Sequence, residues 1–340
     1  MDWSPDWNLR ARMVLAVVLL VVLGVEFVGV VTALLAAAAS LVGLPFFVAP
    51  ALASLLLVGV AVLELGQRDH VVREAGAVEV DAETAPRLHR TVTNVAQQAD
   101  VQVPALAVAK TATPEAFTAG FRPNTTTLAV STGLLDELDD RELRAVVAHE
   151  LAHVKNRDVA VMTAVSLPTV IAERLYDLTT ESTGELTLED WEYRRSEGSR
   201  EVNTTVGFVV APLGGLFAFV GRLLVGVFSQ SRELAADRGA VTITGDPAAL
   251  ASALATIEHE LDSRPSEDLR ATASVSAFSI VSPTSTQRPE GPVRLGPEGE
   301  TAATYHYHSQ RIETFLDRFV RTHPPVADRR ERLKRLAREQ

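Results

Sequence analysis

The 340 residues include no cysteine, carry a net charge of -11 and are 47% hydrophobic. Without thiols, disulfides, thiolate metal sites and cysteine nucleophiles are excluded, so any metal must be held by histidines and carboxylates. Three lysines (Lys110, Lys155, Lys334) and 29 arginines stand against 43 acidic residues at a pI near 5.3, which argues against nucleic acid as the main partner; the lysine-poor, acidic balance suits a high-salt cytoplasm or a GC-rich coding bias toward Arg, Ala and Val.

Met1 to Arg12 is short and polar. From Met13 to Leu63 the only charge is Glu26, and the run is long enough for two membrane spans of about 20 residues each, with Gly43, Pro45 and Pro50 marking the turn between them. A cleaved signal peptide would have an apolar region of only about 7 to 15 residues. Arg10 and Arg12 precede the pair and Arg68 and Arg73 follow it. The positive-inside tendency therefore puts both ends in the cytoplasm, giving a multi-pass protein of the cell membrane with residues 1–65 as its N-terminal hairpin. Glu26 is costly in lipid and must face protein or water.

From Gly66 the composition becomes that of a soluble domain. Leu88, Val92, Val95 and Ala96 share one side of a helix predicted over Ala85 to Ala99, and strands are predicted over Ala105 to Ala109, Ala116 to Gly120 and Thr126 to Val130, the last two around Arg122-Pro123-Asn124. Ser131 is placed to cap a short helix through Leu138. A further helix, opening at Asp139 or Asp140, contains A-H-E-L-A-H-V-K-N-R from Ala148 to Arg157. One helical turn separates His149 from His153, so both imidazoles can reach one ion while Glu150 flanks it, the H-E-x-x-H arrangement of a zinc hydrolase. Val146, Val147, Leu151 and Val154 supply an apolar face, the start is acidic, and Lys155 and Arg157 lie at the end that the helix dipole favours. One tetrahedral Zn2+ per chain needs a third protein ligand and an open position for water. That ligand must come from elsewhere in the chain.

Residues 159–228 hold two more apolar runs, Val159 to Ala172, interrupted by Pro168, and Val206 to Phe228, interrupted by Arg222, on either side of a polar, acidic stretch from Glu173 to Asn203. If the third ligand lies beyond them, both runs cross the membrane or neither does; two crossings are expected. Residues 229–340 open with S-R-E-L-A-A-D-R, where Glu233 and Asp237 stand one turn apart. One carboxylate can bind the metal while the other hydrogen-bonds a ligand imidazole; an ordinary charged helix end, with Arg232, Glu233, Asp237 and Arg238 in water, is the alternative. A helix from Asp246 to Leu261 has Pro247 at its first position. Ser282 to Thr304, rich in proline and glycine, has the composition of a linker, and His306 and His308 are taken as surface residues. His323-Pro324-Pro325 opens the last helix.

Four stretches together resemble the HtpX-type membrane zinc metallopeptidases, relatives of the CAAX prenyl endopeptidases. They are P-E-A-F-T-A-G, the run from L-A-V-S-T-G through H-E-L-A-H-V-K-N-R-D, S-R-E-L-A-A-D-R-G-A and T-H-P-P-V-A-D-R-R-E-R-L. The resemblance implies a mainly α fold with a small β-sheet, integral membrane helices and a zincin-like (gluzincin) catalytic domain. It makes Glu233 the third zinc ligand with Asp237 behind it, Glu150 the general base, and His323 with Arg329 the stabilisers of the oxyanion. It further implies polypeptide substrates, membrane or misfolded proteins, in quality control at the lipid bilayer. Prenylated-peptide processing, an intramembrane protease and a catalytically silent scaffold are the alternatives. Glu115 stands where the family usually has Asn in its substrate groove.

Overall fold

The computed structural model describes residues 6–41, 43–45, 47–48, 50–55, 58–59, 72, 75–120, 126–158, 160–162, 169–172, 200–263 and 323–338. In chain order the elements are α1 (Trp7–Leu41), β1 (Ala77–Val80), α2 (Pro86–Ala99), β2 (Ala105–Ala109), β3 (Ala116–Ala119), β4 (Thr127–Ser131), α3 (Thr132–Glu137), α4 (Asp140–Asn156), α5 (Arg200–Thr244), α6 (Pro247–Ser263) and α7 (Val326–Arg338). The turn at Arg122 to Asn124, the stretch from Ser282 to Thr304, His306 and His308 lie outside the described residues, as does much of the apolar run from Val159 to Ala172. The fold is mostly helical with one small mixed sheet.

The chain divides into two compact units. The first comprises Met1–Leu9, Gly66–Met162 and Gly226–Gln340. Its sheet has the order β1-β2-β4-β3, with β2 and β4 parallel and both outer pairs antiparallel, so β3 is an edge strand among the described residues. Side chains alternate across the pleat. Leu106, Leu128, Val130 and Ala116 enter the main core with Leu88, Val92, Leu143, Val147, Leu151, Leu250 and Leu254, while Ala107, Ala129 and Phe117 make a second cluster on the opposite face. β1 escapes a reading by hydrophobic pattern because it is a four-residue edge strand whose Val78 is 63% exposed; its pairing with β2 defines it.

Local chemistry delimits α4. Asp139 accepts from the backbone amides of Arg141 and Glu142, both at 2.8 Å, and Glu142 Oε2 accepts from the Asp139 amide at 3.1 Å. This reciprocal box satisfies donors that a helix start leaves orphaned. At the other end Arg157 takes a left-handed conformation (φ 56) and closes the helix on the carbonyls of His153 and Val154. Lys155 Nζ donates to the Ala99 carbonyl at 2.7 Å, tying the end of α4 to the end of α2.

The second unit comprises Arg10–Leu65 and Thr163–Val225. Phe27 meets Phe217 edge to face at 5.3 Å, beside Ile171, Ala172 and Ala218. Trp7–Leu41 and Pro212–Thr244 are two helices long and apolar enough to cross a membrane. Val14, Leu15, Val18, Val21 and Val25 are exposed along α1, where lipid would be their natural solvent.

Candidate metal centre

α4 and α5 each offer two functional side chains one turn apart. On α4, His149, Ala152 and His153 share a face; on α5, Glu233, Ala236, Asp237 and Ala240 do. A Cβ at Gly239 would stand 2.7 Å from the Ala152 Cβ, so this glycine lets the two helices approach. Ala152, Ala236 and Ala240 are buried beside it.

The sequence-predicted ligands converge. His149 Nε2 lies 3.2 Å from His153 Nε2 and 3.3 Å from Glu233 Oε2, and His153 Nε2 lies 3.5 Å from Glu233 Oε1. Ligand atoms placed tetrahedrally at 2.0–2.1 Å from a zinc ion are about 3.3 Å apart; the two imidazole nitrogens have that spacing, and the Glu233 carboxylate approaches each of them through a different oxygen. All three are buried. A His-His-Glu group compatible with a single metal ion is therefore present.

Each imidazole is backed by a carboxylate on its other nitrogen. His149 Nδ1 faces Asp237 Oδ1 at 3.0 Å, and His153 Nδ1 faces Asp158 Oδ2 at 2.6 Å. Such partners fix the tautomer and leave Nε2 as the metal-directed atom. Asp237 is in turn gripped by Arg329, Nε to Oδ2 at 2.9 Å and Nη2 to Oδ1 at 2.6 Å. Arg329 thus faces Asp237, whereas His323 is buried with both ring nitrogens lacking a hydrogen-bond partner among the described residues, its Nδ1 3.6 Å from Glu233 Oε2. Of the two candidate oxyanion donors, His323 is the one with donor capacity in reserve. Glu150 is buried beside β3, where its carboxylate hydrogen-bonds Thr118. Glu115 is buried at the head of the same strand, its amide donating to Ser131 Oγ.

Charge makes a second argument. Four carboxylates (Glu150, Asp158, Glu233, Asp237) are buried against the guanidinium groups of Arg329 and Arg232. Charges of both signs are thus packed together in a low-dielectric interior, where each depends on its partners. The field is already visible on the ring of His149: burial opposes its charged form, yet Asp237 and Glu233 outweigh burial and raise its pKa to about 9. Burial lifts Glu150 to about 8 and holds His153 below its ordinary range.

Asp158 and Arg232 are the site residues that the sequence reading misses. Five positions after His153, Asp158 would point away from it on a continuing helix; the left-handed turn at Arg157 brings it back. Arg232 looks like part of a solvated helix end, but Glu233 and Asp237 beside it are 1% and 4% exposed. The alternative of a charged helix end in water does not hold.

Residues 82–337 match the family model described as Peptidase family M48, and the chain belongs to that family. Within it the chain is of the HtpX type. It is 36% identical to Protease HtpX homolog 2 of Methanosarcina acetivorans over 284 residues, covering 82% of this chain and 87% of the relative. With Protease HtpX homolog 1 of Streptomyces coelicolor it shares 32% identity over 340 residues, 99% of this chain and 95% of the relative. With the Protease HtpX homolog of Moorella thermoacetica it shares 34% over 281 residues, 82% and 86%.

Proposed function

We propose that the chain is a membrane-bound, zinc-dependent endopeptidase that holds one Zn2+ between His149, His153 and Glu233 and cleaves polypeptides, membrane or misfolded proteins among them, at the cytosolic face. The observation that carries the reading is the convergence of these three buried side chains, whose ligand atoms all lie within 4.8 Å of one another. When bound, zinc supplies Lewis-acid polarisation of a peptide carbonyl and acidifies a water.

The protein's own groups do the rest. Glu150, buried beside the two histidines, takes a proton from the attacking water and returns it to the leaving amine. His323, with its unused ring nitrogens, donates to the developing oxyanion, a contribution of roughly 3 kcal/mol for such donors. The outer edge of β3, the strand bearing Thr118 beside Glu150, receives the substrate as an added strand. Arg10, Arg12, Arg68 and Arg73 flank the N-terminal apolar pair, which supports a cytoplasmic centre by the positive-inside tendency.

Glu150→Gln is the direct test. The purified variant is expected to keep one zinc per chain and to lose cleavage by about 10²–10⁴-fold, and the proteome of membranes holding it is expected to accumulate substrates. A fully active variant removes Glu150 from the mechanism. Wild type without zinc and without cleavage leaves only the silent scaffold.

A further inference from the structure

We infer that the exposed face of α1 around Glu26 is where a second copy of this chain docks within the bilayer. The inference rests on the membrane reading above. Glu26 carries the only charge between Met13 and Leu63. At 1.5 Å per residue, about 21 Å of helix separate it from Arg12 and about 22 Å from Leu41, so in a hydrocarbon core about 30 Å thick it lies near the middle. That is too deep for the side chain to reach the headgroups, and an ionisable residue at this depth faces protein or water. Yet Glu26 is exposed and makes no hydrogen bond or ion pair among the described residues, while Phe27 beside it is buried against Phe217.

The residues around it form a seam. Leu15, Leu19, Val22, Glu26, Gly29 and Ala33 recur at alternating spacings of four and three, and all are exposed. The buried residues of α1, Leu9, Ala16, Leu20 and Phe27, lie on another face. Such a repeat is the pattern by which two helices pack along their length, and one polar residue within it fixes the register. A Cβ at Gly29 would meet nothing within 4 Å, which leaves room for another backbone to approach. The occupant follows from symmetry. Copies inserted in the same direction and related by a two-fold axis along the membrane normal place each residue of α1 opposite its own equivalent. Glu26 then meets Glu26 at one depth, where the two carboxyl groups can share a hydrogen bond; a foreign helix would need a polar group at that same level.

Because the chain has no cysteine, single cysteines introduced into the full-length protein test the contact. In oxidised membranes Val22→Cys and Ala33→Cys are expected to form disulfide-linked dimers, and Val28→Cys, at a position 38% exposed on the other side of α1, is not. Glu26→Leu is expected to raise the dissociation constant of the dimer in detergent about 5–30-fold, read by fluorescence transfer between labelled copies; Glu26→Gln, which keeps a hydrogen-bonding group, is expected to lose less. Cross-linking no greater in Val22→Cys than in Val28→Cys, or cross-links to other proteins in place of the second copy, overturns the inference. An unchanged dissociation constant in Glu26→Leu overturns the role of Glu26. A chain that alkaline carbonate strips from the membrane overturns the membrane reading, and this inference with it, whereas one that stays embedded as a monomer overturns the inference alone.

Discussion

The two helices that meet at the centre offer the same device, a pair of chemical groups one turn apart, and they build it differently. α4 is self-contained: its start is set by Asp139 and Glu142, its end by Arg157, and it supplies the carboxylate behind His153 from its own continuation at Asp158. α5 runs for 45 residues with Pro212 inside it, and nothing in its neighbourhood tells Glu233 and Asp237 to be buried. Their position comes from Gly239 against Ala152, from His149 on α4 and from Arg329, 92 residues after Asp237. His149 thus relies on an imported carboxylate and His153 on a local one, and the two halves should fail in different ways.

The largest effect is expected on the imported side. Asp237→Ala leaves the Arg329 guanidinium, 1% exposed, without the carboxylate that pairs with two of its nitrogens. Removing one partner of a buried pair costs about 3–5 kcal/mol, so denaturant unfolding should show a loss of that order. Stability within about 1 kcal/mol of wild type would mean that α5 is held in place by something other than this pairing. On the local side, Asp158→Asn removes the carboxylate behind His153, and among the described residues no guanidinium is paired to Asp158 through two nitrogens as Arg329 is to Asp237. Zinc affinity should fall about 10–100-fold, or 1.4–2.7 kcal/mol, with a smaller change in unfolding free energy. A variant that unfolds easily yet binds zinc normally would reverse the ranking.

The same contrast explains what could be read from the residues. The cap of α3, the apolar face of α2, strands β2 to β4 and α4 follow from short-range rules, and the structure has them within a residue or two of the predicted bounds. β1 does not follow, because four residues with an exposed valine have no hydrophobic pattern of their own. At the site, the i,i+4 spacing identified His149 with His153 and Glu233 with Asp237. That the two pairs face each other is tertiary information, available beforehand only through the family resemblance. Asp158 and Arg232 were hidden because helical periodicity assigns directions on the assumption that the helix continues and that neighbours diverge. A left-handed turn breaks the first assumption and a curled arginine the second.

The smallest effect separates a buried pairing from its surface counterpart. Asp246 stands between α5 and α6, accepts from the Ala249 amide at 3.0 Å and pairs with Arg141 on α4, Nη2 to Oδ2 at 2.6 Å. The partners are 74% and 26% exposed, against 1% and 5% for Arg329 and Asp237. An ion pair so exposed contributes little, so the main loss in Asp246→Ala is the helix cap, about 1 kcal/mol at pH 7. Its pH dependence has a definite sign. Partial burial would raise the pKa of Asp246, but Arg141 and the Ala249 amide outweigh it and hold the carboxyl below its ordinary value. The unfolded chain therefore binds a proton on Asp246 more readily than the folded one, and the stabilisation is fully present above the unfolded pKa of about 3.9 and lost as pH falls through the lower folded value. Urea midpoints of wild type and Asp246→Ala should differ at pH 7 and converge below about pH 4. A difference that does not shrink as pH falls below about 4 would assign the loss to packing at the α5–α6 corner instead of to the charge.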